Sequence, residues 1–180
     1  GKLVHFRKNG IAVPTQTKNE DLMILQSLIT NYNPKEVVFL GDLFHSEVNS
    51  EYSTFLRAIE FFPNVKFALT KGNHDIIPEA FFHDAVIEIT DEKILGNDIV
   101  LRHQLPKIPL EDRFYIIGHI HPGYVIEGRG RQTYRLPSFY QSKNTLVLPA
   151  FGKHTGLFIP ELLSEDKCYV IMNEEVIQMK

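Results

Sequence analysis

Two short apolar runs constrain the fold more than any other feature of this chain. EVVFL at residues 36–40 breaks into Gly41-Asp42, and VKFALT at residues 65–70 breaks into Lys71-Gly72-Asn73-His74-Asp75. Runs of this length, rich in β-branched and aromatic residues and separated by helical periodicity, read as buried parallel strands joined by a crossover helix. Each run ends in a glycine turn followed at once by oxygen and nitrogen donors. Gly and Asp are also the commonest residues for leaving a strand, so Asp42 alone reads equally well as a turn residue.

The helical signals lie where such strands need them. TKNEDLMILQSLITNY opens with Thr17 and carries Glu20 three residues on, a capping box, and then places Leu22, Leu25, Leu28 and Ile29 on one face. NSEYSTFLRAIEFF predicts a second helix, capped by Asn49 or Ser50 and stopped at Pro63. Beyond residue 85 the chain turns to short strand-like pieces: AVIEIT, KIL, DIVLRH, RFYIIGH, GYVIEG, QTYRL, NTLVLP, CYVIM and VIQM. LGND and MNEE read as hairpin turns, and EGRGRQ as a Gly-rich connection between antiparallel strands. Helices and strands alternate first and strands dominate later, which implies an α/β sandwich.

Length and composition are those of one soluble domain spanning 1–180, with 43% apolar and 23% charged residues. Nineteen basic against 22 acidic side chains give a net charge of −3, which excludes general electrostatic attraction to nucleic acid and leaves only local basic surface. Arg129, Arg131 and Arg135, with Lys143 and Lys153, form one such candidate strip; an ordinary exposed hairpin is the competing reading. The one cysteine, Cys168, has no internal partner, and no apolar run approaches the roughly 18 residues of a membrane span. A reducing cytoplasm is the expected location. The opening GKLVHFRKNG is polar and loop-like, so the chain is expected to begin inside a larger protein.

The polar residues at strand ends form one set. Asp42 follows VVFL, Asn73 and His74 follow FALT, His103 ends DIVLR, and His119 and His121 follow FYIIG. In α/β sheets ligands bind beyond the carboxyl ends of strands, where residues distant in sequence converge. His, Asp and Asn are donors that a borderline divalent metal accepts. Any one motif has an ordinary explanation as a polar turn, but their repetition at successive strand ends points to metal.

The ordered motifs GDLFH, GNHD, LRH and GHIHP resemble the calcineurin-like metallophosphoesterase superfamily. GKLVHFRKNGIAVP, GDLFHS, GRGRQTYRLPSF and LVLPAFGKHTG further resemble the bacterial DNA ligase-associated phosphoesterases, the PdeM group. The resemblance implies a β-sandwich flanked by helices (αββα). It also implies a first strand ending in a DxH motif just before a Gly-Lys pair like Gly1-Lys2, and this sequence lacks that strand.

The resemblance further implies two divalent metals, manganese first, with iron or zinc as alternatives. Asp42 would bridge them, Asn73, His103 and His119 would complete one shell, and His121 would serve the other with the missing Asp and His. His74 would face the phosphate and stabilise charge or protonate the leaving oxygen, oriented by Asp75. Asp75 reads equally well as the N-cap of a helix over IIPEAFF. His45, in the variable last place of the GDxxH motif, would touch substrate or a metal ligand. His5 and Arg7 would line the phosphate entrance or sit in a solvated loop, and His154 would face the site or serve a Gly-rich turn. His83 reads as a surface residue.

The implied activity is phosphodiester hydrolysis, with DNA as the expected substrate, in a repair setting beside a ligase or helicase. A small-nucleotide or small-diester hydrolase is one alternative; a metal-poor binding form lacking the DxH motif is another.

Overall fold

The computed structural model describes residues 20–43, 50–75, 87–153 and 155–180. The chain divides into two compact units, one from Gly1–Asp91 with Gly152–His154 and one from Glu92–Phe151 with Thr155–Lys180. The expected Thr17 capping box, the Asn49 cap and the helix over IIPEAFF fall outside the described residues, as do His5, Arg7, His45, His83 and His154.

The first unit contains helices α1 (Glu20–Tyr32) and α2 (Ser50–Glu60) and strands β1 (Glu36–Phe39), β2 (Lys66–Thr70) and β3 (Ile87–Thr90). The strands form a parallel sheet in the order β1-β2-β3, with Phe39 opposite Leu69 and Leu69 opposite Ile89. The helices cover it with a narrow stripe each. On α1, Leu25 and Ile29 are buried and Leu22 is partly so, whereas Leu28 is 39% exposed. The sequence reading groups Leu28 with these residues on one face. At about 100° per residue it lies roughly a quarter turn from the centre of the Leu22-Leu25-Ile29 stripe, far enough to reach solvent.

On α2, Phe55, Ala58 and Ile59 are buried, and the helix ends three residues before Pro63, which lacks the N–H a further turn would need. Phe39 links helix to sheet, meeting Phe55 edge-on at 5.5 Å and stacking on Phe67 at 6.4 Å. With Val65, Phe67, Leu69 and Ile87 these residues make one apolar cluster. Each large side chain fully buried in it contributes about 1.5–3 kcal/mol.

The second unit is an eight-stranded mixed sheet. Its strands are β4 (Lys93–Leu95), β5 (Ile99–Arg102), β6 (Phe114–Ile117), β7 (Gly123–Glu127), β8 (Thr133–Ser142), β9 (Thr145–Val147), β10 (Lys167–Met172) and β11 (Glu175–Gln178). The order is β11-β10-β8-β9-β6-β5-β4, with β7 paired to β8 off that path. β5, β6 and β9 run parallel at its centre and the other pairings are antiparallel. Val100, Tyr115, Ile117 and Val147 form its core cluster.

Asn173-Glu174 joins β10 to β11 with both φ positive, 52° and 65°, as a two-residue hairpin of the mirror-image type requires. Gly96, at φ 64°, turns β4 into β5 within the expected LGND hairpin.

Candidate metal centre

In the first unit the parallel pairing of β1 and β2 brings their carboxyl ends to one edge, and hydrogen bonds knit the two following loops together. The Asp75 carboxylate oxygen Oδ2 accepts from the Asp42 N–H at 2.8 Å and from the Gly72 N–H at 2.9 Å. In return, the His74 N–H donates to Oδ1 of Asp42 at 3.0 Å. Below them, the Thr70 hydroxyl donates to the Phe39 carbonyl at 3.3 Å. Asp42 is thus fixed through both its backbone and its side chain. Asn73 and His74 sit exposed on the turn, and Asp75 is buried beneath it.

Gly72 is required there for space rather than for an unusual φ. A Cβ on it would lie 2.4 Å from both the backbone nitrogen and Oδ1 of Asp42. Sequence reasoning assigned Asp75 to orienting His74 or to capping a helix. The staple it makes between the Asp42 and Gly72 backbones was not foreseen, because a 33-residue separation leaves no local pattern.

The second unit repeats the arrangement with histidines. β5 and β6 are parallel with Arg102 opposite Ile117, so His103 and the Gly118-His119 turn leave the sheet side by side. The Gly118 N–H donates to the His103 carbonyl at 3.1 Å. His103 is 3% exposed, and its Nε2 lies 2.9 Å from Nδ1 of His119, the rings meeting edge to face at 4.8 Å. His121 is half-buried, and its carbonyl accepts from the Phe158 N–H at 3.0 Å.

At this separation one imidazole N–H hydrogen-bonds the other ring nitrogen, and the spacing is also close to that of adjacent ligands in a metal shell. Bonds of about 2.1 Å place adjacent ligands about 3.0 Å apart in an octahedron and about 3.4 Å apart in a tetrahedron.

Backbone geometry singles out the same residues. Asp42, His119 and His121 adopt left-handed conformations with φ of 52°, 62° and 53°. This region is uncommon outside glycine, although Asp and His enter it more readily than most residues. Non-glycine residues held there concentrate at functional sites. Elsewhere among the described residues such conformations occupy turns, as at Lys143 and Asn173.

The candidate basic strip is altered by the structure. Lys153 is engaged, its Nζ 2.9 Å from Glu20, and this neighbour raises its pKa. Arg129, Arg131 and Arg135 are exposed around the β7–β8 turn, and Lys143 occupies the β8–β9 turn.

Comparison with known proteins agrees with the motif order. No curated protein sequence gives a match. Among solved structures, the chain is similar to the crystal structure of Pseudomonas putida nuclease MPE, with 26% sequence identity and a TM-score of 0.75, over 93% of this chain and 82% of that one. The sequence profile of calcineurin-like phosphoesterases matches residues 17–174, nearly the whole length, a span that contains the motifs from Asp42 to His121. The chain belongs to the calcineurin-like phosphoesterase family.

Proposed function

We propose that this protein is a metal-dependent phosphodiesterase acting on nucleic acid, with DNA as its substrate. The observation that carries the reading is the His103–His119 pair, two imidazole nitrogens 2.9 Å apart at the ends of parallel strands, in a chain of this family. Similarity to a nuclease supports a phosphodiester within a polymer over a small phosphomonoester.

Family membership and donor chemistry together support the ligand assignments. Asp42 offers a carboxylate with two oxygens, suited to bridging two cations. Asn73 offers a neutral oxygen, and His103, His119 and His121 offer imidazole nitrogens. Manganese is assigned first, with iron or zinc accepted by the same donors. Bound divalent metal supplies Lewis acidity toward the phosphoryl oxygens and lowers the pKa of water toward neutrality. The protein's own contribution is positional. The Asp75 staple and the His74 N–H hold the Asp42 carboxylate in one orientation. His74, exposed on that turn, is assigned to stabilising charge on the phosphate or protonating the leaving oxygen.

No described helix is long and apolar enough to cross a membrane. A cytoplasmic role in DNA repair beside a ligase or helicase is the narrower form of the proposal, supported by the resemblance in GRGRQTYRLPSF and LVLPAFGKHTG. Co-purification from cells tests that part.

The central test is hydrolysis of bis(4-nitrophenyl) phosphate and of labelled DNA by chelator-treated protein with and without added manganese. Manganese-dependent cleavage of both is expected. Metal binding without turnover on either would overturn the enzymatic reading and leave a binding role.

A further inference from the structure

β8 is twice as long as most of its neighbours, and only half of it belongs to the main sheet. Residues 138–142 pair with β9 and β10, whereas among the described residues 133–137 pair with β7 alone. β7 and this half of β8 are therefore a two-stranded arm. A lone hairpin is marginal in water, and this one is fixed at its root. The Gly123 N–H donates to the Phe158 carbonyl at 2.8 Å, and Pro122 bridges to Phe158. The root begins two residues after His121.

The far end carries charge without a built-in counterion. Arg129, Arg131 and Arg135 are all exposed, and among the described residues none of them forms an ion pair. One acid, Glu127, shares the arm with them. The loop is closed by the Gly128 N–H donating to the Gln132 carbonyl at 2.7 Å, and Gly130 and Arg131 turn it with φ of 74° and 63°. A left-handed arginine is an uncommon choice for a solvent-exposed turn that glycine or asparagine would make more easily. Beside it stands Tyr134, 50% exposed, its hydroxyl donating to Oε1 of Gln132 at 2.7 Å. Arginines interleaved with a half-exposed, tethered aromatic ring are the combination that holds an unpaired strand: guanidinium for phosphate, ring for base.

We propose that the β7–β8 arm is a docking strip for a single nucleic-acid strand, with Arg129, Arg131 and Arg135 on backbone phosphates and Tyr134 stacked on a base. The inference rests on the phosphodiesterase reading and adds where a polymeric substrate is held. β7 runs away from His121 for five residues, about 16 Å at 3.3 Å each. That equals about five nucleotide steps at the 3.4 Å rise of a stacked strand. The arm therefore acts on oligonucleotides and not on small diesters.

The test uses the full chain and a labelled phosphorothioate oligo-thymidine of about 12 nucleotides, so that binding is read without cleavage. Replacing all three residues, Arg129→Ala, Arg131→Ala and Arg135→Ala, is expected to make the plot of log affinity against log salt shallower by about 2, at about 0.7 per phosphate contact. The corresponding triple Lys replacement keeps the slope, and kcat/KM on bis(4-nitrophenyl) phosphate stays at the parent value in both.

Tyr134→Ala is expected to weaken strand binding about tenfold while leaving a duplex of the same length unaffected. An unchanged salt slope in the triple Ala protein, with unchanged melting, would overturn the proposal, as would equal losses in the Ala and Lys proteins. Should the parent fail to cleave any diester, the phosphodiesterase reading falls while the salt slope still decides whether the arm binds a strand.

Discussion

Replacing Gly72 by alanine tests the packing that positions Asp42. The added methyl would lie 2.4 Å from the Asp42 nitrogen, 2.4 Å from its Oδ1 and 3.0 Å from Oδ2 of Asp75, where ordinary contact begins at 3.4 Å. The backbone atom cannot swing aside as a flexible side chain would, so one loop must move by about an ångström. A shift of that size breaks the three hydrogen bonds of 2.8, 2.9 and 3.0 Å that join the loops.

All three are bonds to a carboxylate, and because the loops are partly solvated their loss costs together about 3 kcal/mol. For a chain of this size that is a fall in Tm of about 6–12 °C. Displacing the Asp42 carboxylate should also weaken manganese binding about 10- to 100-fold. Thermal melting and calorimetric metal titration measure the two effects. Gly156→Ala is the matched control: a Cβ there meets nothing within 4 Å, so its stability should change by less than about 0.5 kcal/mol. A Gly72→Ala protein that melts and binds manganese like the parent would refute the account of this loop.

Other outcomes follow from the same structure. His103→Ala and His119→Ala should each lower manganese affinity and reduce diester hydrolysis by about 100-fold or more, since each removes one nitrogen of the pair; parallel metal titration and rate measurement check this. Asp166 is held below its ordinary carboxylate pKa, first by the Ser142 hydroxyl and also by the Leu163 N–H, the Tyr140 hydroxyl and Lys180. A depressed folded-state pKa means that the unfolded chain takes up the proton first, so this stabilisation is complete above about pH 4 and is lost as pH falls further. Asp166→Asn should flatten the acid side of a Tm-against-pH curve. Cys168 is fully buried, and burial pushes its thiol pKa up. It should therefore resist thiol reagents near neutral pH until the protein is denatured, as a timed modification assay with and without denaturant would show.

Much of this was legible in the sequence because the information is local. EVVFL and VKFALT announce parallel strands by their composition, and the glycines after them mark where the chain leaves the sheet. MNEE and LGND mark hairpins through Asn173 and Gly96, residues that tolerate positive φ. The order of Asp42, Asn73-His74, His103 and His119-Ile120-His121 gave the family, which the profile match bears out.

What escaped depends on distance in the chain. The Asp75 staple joins loops 33 residues apart, and the close approach of Gly72 to Asp42 leaves no sequence signal. Leu28 lies at the exposed edge of its face because four apolar residues at helical spacing span a wider arc than the sheet could cover. Lys153 looked like free positive charge until the fold set it against Glu20, 133 residues away.

The left-handed conformations of Asp42, His119 and His121 set stability against chemistry. Each non-glycine residue in that region costs about 1–2 kcal/mol that a glycine would not. At His121, the backbone alone would favour glycine. Under the proposed ligand assignment, selection for a firmer fold and selection for a metal-binding side chain pull in opposite directions there, and thermostabilising substitutions to glycine at 42, 119 or 121 would remove the proposed donors.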